Sequence, residues 1–232
     1  EPYRRQRQMC IRDRYGTNGI PIPDSKPYIV NMLDKDKITA DVTKAKQLAD
    51  MVIVLPHWGT EYVYTPDSNQ NYWTQLFLSL GVDVVIGTHP HVLEPVEVVS
   101  DTKGHEMLVY YSLGNFVSNQ DQKPRMIGGM AKMTLVKDET GCYVKNYNLT
   151  PVITQKLFGK KAITTYKLSD YTESLASGNA IRNDSGCSDF SLSYCQTLVK
   201  QILGDDYDES TSELNVSLHP DGLVKDTSCL LY

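Results

Sequence analysis

Val52-Ile-Val-Leu-Pro-His-Trp-Gly-Thr-Glu61 and Val84-Val-Ile-Gly-Thr-His-Pro-His-Val92 decide how this chain is read. Each is an apolar run that stops at histidine. Continuous apolar runs of this kind suit strands buried on both faces, as in a parallel sheet. Between them Tyr72, Trp73, Leu76, Phe77 and Leu80 share one helical face, and Gly81 stands where a helix should stop. Strand, helix, strand predicts a βαβ unit with parallel strands and a right-handed crossover. Both strands then end on the same edge, where open α/β sheets bind ligands. His57, His89 and His91 are thereby brought to one rim.

Three of the chain's five histidines lie in these two segments. Strand-end imidazoles grouped in this way suit a divalent metal such as Zn, Mn or Fe. His89 and His91 are two apart, so extended backbone would aim both at one face, and Pro90 should hold His89 extended. Glu61, four residues after His57, shares its face if the segment is helical. It could orient His57 or act as a general acid or base. Equally, it could be a carboxylate at a helix start. Trp58-Gly59 would let backbone approach a ligand, or would simply pack. His105 in a polar turn and His219 near the C-terminal end read as ordinary structural residues.

Working outward, Ile38, Val42, Ala45 and Ala49 form a helical stripe with Thr39 or Asp41 near its start. Tyr28–Leu33 reads as a short strand, preceded by an Asn18-Gly19 turn and Pro21, Pro23 and Pro27. After the histidines, 92–99, 107–112, 130–137 and 143–151 read as strands, which suggests antiparallel pairing. Leu192, Cys195, Val199, Ile202 and Leu203 make a last helical face, capped by Asp189 and ended by Gly204. Residues 205–232 show little period and read as a peripheral tail. Glu1–Arg14 carries five arginines. It reads as a disordered basic arm, or as translated sequencing adapter, and no function is assigned to it. The expected organisation is thus 1–14 as a non-native or disordered arm, 15–158 as the main domain, and 159–232 as a C-terminal helical extension with an irregular tail.

Composition is that of an ordinary globular chain: 232 residues, 41% hydrophobic and 22% charged. The net charge of -5 argues against a nucleic-acid partner. An anionic substrate stays open, because a bound cation reverses the local field. Five cysteines with no CxxC spacing argue against a zinc knuckle. Cys187 and Cys195 could pair in an oxidising compartment, but the odd total and uneven spread argue against a disulfide framework. No apolar run reaches the roughly 18 residues of a membrane span, and no secretory signal is visible.

His57-Trp-Gly-Thr-Glu61, Gly81–Val99 (GVDVVIGTHPHVLEPVEVV) and Val109–Val117 (VYYSLGNFV) together resemble the CapA family of bacterial poly-γ-glutamate capsule synthesis proteins. Tyr15–Gly19 fits the same pattern, and the resemblance extends to about Tyr147. That family is similar to the calcineurin-like metallophosphoesterases. The resemblance implies an α/β fold of the α-β-β-α sandwich type with a divalent metal pair at the strand ends. It implies His57, His89 and His91 as ligands, Glu61 as the acidic residue of the same motif, and Asn115 as a loop-shaping or outer amide.

It further implies an extracytoplasmic, membrane-anchored protein acting on an anionic polymer or phosphoester, working with membrane capsule-synthase subunits. The reaction could be metal-dependent hydrolysis, or the protein could be a non-catalytic polymer-binding component. The family's Gly-Asp, Asn-Leu-Glu and Asn-Asn-His motifs do not occur before Tyr15. The expectation is therefore the C-terminal part of a longer protein, with an incomplete metal site, little turnover and exposed apolar surface.

Overall fold

The computed structural model describes residues 9–14, 24–25, 31–139, 141–157, 162–219 and 228–230. The expected turn at Asn18-Gly19, its prolines and half of the Tyr28–Leu33 strand lie outside these residues. One sheet contains Met9–Arg14 (β1), Val52–His57 (β2), Val84–Ile86 (β3), Val96–Ser100 (β4) and Glu106–Tyr110 (β5), in the order β1-β2-β3-β5-β4. All neighbours are parallel except β4, which runs antiparallel to β5. Lys35–Leu48 (α1) precedes β2, and Ser68–Ser79 (α2) crosses from β2 to β3. The expected βαβ unit is therefore present, with Ile53 opposite Val84 and Val54 opposite Val85.

Met9–Arg14 pairs with the whole of β2, from Met9 opposite Val52 to Arg14 opposite His57. The basic arm expected to be disordered thus joins the sheet from Met9 onward. A charged sequence is no bar to an edge strand, since charge there discourages stray pairing.

The second sheet is built from Ile127–Asp138 (β6), Gly141–Leu157 (β7), Ala162–Lys167 (β8), Tyr207–Asp208 (β9), Glu213–Ser217 (β10) and Ser228–Leu230 (β11). Its order is β11-β6-β7-β10-β9, with β8 also paired to β7. Antiparallel pairing holds throughout. The segment expected to be a peripheral tail therefore supplies strands to this sheet. Two further helices, Glu173–Ser177 (α3) and Leu192–Leu203 (α4), pack on the same core as Leu149, Ile153 and Leu214.

Strand alternation divides the core in two. Val52, Val54, Val85 and Val109 face Ile38, Val42, Trp73 and Phe77 of the helices. Ile53, Val84, Ile86, Leu108 and Tyr110 face Ala131, Met133, Leu149 and Ile153 of the second sheet. The Tyr110 hydroxyl donates across this layer to the Asn148 carbonyl at 2.9 Å. On the outer face of the second sheet, Lys132, Asn146, Asn215 and Ser217 are exposed.

Several boundaries move for local reasons. α1 begins at Asp34, whose carboxylate accepts from the Lys37 N–H at 2.9 Å, rather than at Thr39 or Asp41. α4 is capped by Ser191, because Asp189 is engaged with Lys123. Gly81, with φ +74°, ends α2 as expected. Cys187 and Cys195 are separate buried thiols rather than a bridge. Burial pushes the Cys195 thiol up to about 12, so it stays neutral and packs as an apolar group.

Candidate metal centre

β2 and β3 deliver the histidines as parallel strands should, but not through extended backbone. His57 ends β2 and bridges to Thr88. Its Nδ1 lies 3.2 Å from Thr88 Oγ1, which itself donates to the Pro56 carbonyl at 3.2 Å. The hydroxyl proton is thus directed at Pro56, and Nδ1–H of His57 is the donor to Thr88. His89 and His91 have φ +108° and +59°. The expected extended His-Pro-His is therefore corrected: both residues sit in left-handed backbone, which costs on the order of 1–3 kcal/mol each.

Tertiary contacts hold this turn. Tyr62 N–H donates to the Pro90 carbonyl at 2.8 Å, and Trp58 N–H to the Thr88 carbonyl at 3.0 Å. Glu61 lies in a turn rather than a helix, because Tyr62, with φ +68°, breaks the helical path.

Glu61, His89 and His91 nonetheless converge, with one ligand-capable atom from each within 4.8 Å of the others. His57 sits beside this group, its ring centroid 4.5 Å from that of His89. The acid and the His-Pro-His pair thus form the innermost set, with the strand-end His57 flanking it.

Three observations bear on whether these residues fit a cation. His89 Nδ1 is buried without a hydrogen-bond partner among the described residues. A buried unpaired ring nitrogen is costly unless something accepts its lone pair. Burial, reinforced by nearby His91 and opposed by Glu61, lowers the His89 pKa and keeps it neutral, the state that ligates. Asn115 fixes His91. Its Nδ2 donates to the His91 and Arg125 carbonyls, both at 3.1 Å, leaving Oδ1 facing His91 Nδ1 at 2.9 Å. Nδ1 must then carry the proton, and Nε2 presents the lone pair. The residues present fit a divalent cation.

Trp58 stands apart from this group. It is fully buried, and its indole N–H donates to the Tyr111 carbonyl at 2.8 Å. It braces the floor of the rim rather than touching a ligand. Trp58→Phe should remove that bond and cost about 1–3 kcal/mol, read as a lower urea midpoint with unaltered slope. An unchanged midpoint would refute the bracing role. His105 and His219 are structural, as expected. His105 Nε2 lies 2.8 Å from the Val82 carbonyl, and His219 meets Tyr143 edge-on at 4.9 Å.

The sequence offers Arg125 only beside Lys123, as scattered basic charge that reads as solvated loop, and does not single out Tyr62. The Tyr62 ring stacks at 6.2 Å from His91, and the Arg125 guanidinium carbon lies 3.6 Å from the Tyr62 ring centre. Nothing local marks these residues; the Asn115 bridge to the Arg125 carbonyl and the Gly114–Gly128 bridge bring that segment to the rim.

Residues 4–120, half of the chain, match the sequence model of the family described as bacterial capsule synthesis protein, PGA_cap. The chain belongs to that family. The matched span begins within the basic arm and contains His57, Glu61, His89, His91 and Asn115. Among similar proteins, the PGA biosynthesis protein CapA of Bacillus subtilis (strain 168) is 36% identical over 111 residues, covering 48% of this chain and 27% of that protein. The capsule biosynthesis protein CapA of Bacillus anthracis is 35% identical over 92 residues, covering 38% and 21% respectively. The chain thus spans about a quarter of the length of these relatives. Membership of a capsule biosynthesis family is consistent with a place at the cell envelope. No described helix is long and apolar enough to cross a membrane.

Proposed function

We propose that this chain carries part of the metal centre of a hydrolase acting outside the cytoplasm on an anionic capsule or envelope polymer. The observation that supports it most is the convergence of one ligand-capable atom each from Glu61, His89 and His91 within 4.8 Å. Glu61, His89 and His91 would hold a divalent cation, Mn, Zn or Fe. Such an ion lowers the pKa of a coordinated water and offsets charge at the scissile group. Asn115 keeps His91 in the ligating tautomer. His57, protonated at Nδ1 toward Thr88 and with its ring 4.5 Å from that of His89, would exchange a proton with the leaving group. A phosphodiester and a γ-glutamyl amide both fit this chemistry.

The alternative is a polymer-binding component of a membrane capsule-synthesis complex, in which the cation binds polymer carboxylates without hydrolysis. For this chain the expectation is about one weakly held ion and little turnover.

Calorimetric titration of the 232-residue chain with Mn²⁺ and Zn²⁺ tests the centre. His89→Ala plus His91→Ala should abolish binding, and Glu61→Gln should weaken it roughly 10-fold or more. No ion bound by the wild type, or binding untouched by the double substitution, would defeat the proposal. Hydrolysis of a generic phosphodiester by the metal-loaded protein would favour the enzymatic reading over polymer binding.

A further inference from the structure

Arg125 reaches the rim from outside the strands that build it. It ends the loop before β6 and lies in a 3-10 turn, Lys123–Met126. Its backbone carbonyl is bound by the same Asn115 amide that fixes His91. Its guanidinium stacks over Tyr62, whose ring stacks on His91 and whose phenol is raised in pKa by burial and by the neighbouring Glu61 carboxylate. The path Arg125–Tyr62–Glu61 and the path Arg125–Asn115–His91 thus close on the same cluster from two sides.

The guanidinium is half-buried, and one N–H is taken by Asp121 at 3.1 Å. Guanidinium has five donors in a planar fork. Stacking on an aromatic face orders that plane while leaving its edge directed outward. Asp121 is largely exposed, with a side chain at 71% of full accessibility. An exposed ion pair of this kind is worth little, so a better-placed anion can displace it.

We infer that Arg125, oriented by Tyr62 and Asn115, is an anion-recognition site that binds a carboxylate or phosphate oxyanion of the substrate beside the Glu61–His89–His91 cluster. The inference rests on the reading of that cluster as the reacting centre. The chemistry selected is a planar or tetrahedral oxyanion able to take two parallel N–H bonds. Where the anion belongs to a polymer, this contact sets which repeat lies at the cluster. Lysine would retain the charge but lose the fork and the stacking. Arg125 is therefore a positioning residue for an anionic substrate.

The test measures binding rather than turnover. Inorganic phosphate and glutarate are titrated separately into the 232-residue chain, with and without Zn²⁺, and followed by calorimetry and by chemical-shift changes at the Arg125 guanidinium. Arg125→Ala should weaken the preferred anion roughly 10-fold or more, Arg125→Lys should restore part of that loss, and Asp121→Asn should tighten binding by removing the competing carboxylate. Zn²⁺ affinity should be unchanged in all three. A preference for phosphate or for glutarate identifies which oxyanion the site takes. Wild-type protein that binds neither anion, or anion affinity indifferent to Arg125→Ala, overturns the inference. Loss of thermal stability in Arg125→Ala with unaltered anion affinity also overturns it, since the stack would then be structural. Failure of the metal reading is separate: Zn²⁺ would not bind, while anion binding in the metal-free arm would still depend on Arg125.

Discussion

Gly87→Ala should destabilise the protein by about 3 kcal/mol or more, a large fraction of the marginal stability usual for a fold. A Cβ at position 87 would fall 2.0 Å from the Tyr111 carbonyl oxygen and 2.3 Å from Trp58 Nε1. Neither group can retreat cheaply. The Tyr111 oxygen already accepts the Trp58 indole N–H, and Trp58 is fully enclosed. Gly87 itself is pinned on both sides, its N–H donating to Tyr110 at 2.7 Å and its carbonyl accepting from Leu113 at 3.2 Å. Relief would require parting β3 from β5 directly beneath the histidines. Urea denaturation followed by far-ultraviolet circular dichroism measures the effect. Gly178→Ala, at a helix end with an ordinary negative φ of -86°, is the matched control and should cost far less. A Gly87→Ala protein within 1 kcal/mol of wild type would show that the sheet yields there after all.

Glu94→Gln should abolish a pH dependence of stability that the wild type shows between about 4.5 and 7. The Glu94 side chain is fully buried, and burial pushes its carboxyl up to about 7. The 2.6 Å hydrogen bond from Gln70 opposes this rise, and the charge on Asp67 adds to it. In the unfolded chain the same group ionises near 4.5. Over that window the unfolded state has released a proton that the folded state still holds, so stability falls as pH rises. The loss is complete above about 7 and amounts to at most about 3 kcal/mol. Glutamine removes the ionisation while its carbonyl still accepts from Gln70. The variant should therefore match or trail the wild type at pH 4 and exceed it at pH 8. Denaturation curves at a series of pH values, taken as the difference between the two proteins, isolate this group. Parallel profiles would show that Glu94 does not titrate in the window.

That carboxyl also explains why the rim keeps its shape. Glu94 bonds Gln70, Gln70 closes a capping box with Asp67 at the start of α2, and Asp67 accepts from Thr60 at 2.7 Å. Residue 60 of the first histidine segment and residue 94 of the second are thereby tied through the intervening helix. The tie uses a buried acid whose remaining oxygen has no partner among the described residues. Buried polar groups of this sort are costly, and they fix one arrangement where apolar contacts would permit several.

The meeting of the histidines was legible because it follows from topology: parallel strands joined by a helix must end on one edge. How they meet was not. Pro90 restricts its neighbour locally, but Tyr62 and Trp58 hold a left-handed turn from outside the segment. Glu61 was legible as an acid near the site, yet its place in the innermost set depends on a turn created by the positive φ of Tyr62. The short alternation Glu213-Leu-Asn-Val-Ser217 carries a period-2 signal that could have identified β10, with Leu214 buried and Asn215 exposed. Arg125 was legible only as scattered basic charge, because its relation to His91 runs through the Tyr62 ring and through one amide ten residues upstream. The adapter-like arm misled for a different reason. Composition reports what a segment would do alone, whereas an edge strand is held by its neighbour's backbone.

Asn115 spans the seam between the two sheets. On one side it grips the turn leading into β4, and on the other the loop leading into β6. The imidazole of His91 consequently works as a strain gauge for the whole inter-sheet layer. Loss of packing between the sheets, at Leu149 or Met133 for example, should therefore reach that ring through Asn115 although no ligand residue is altered.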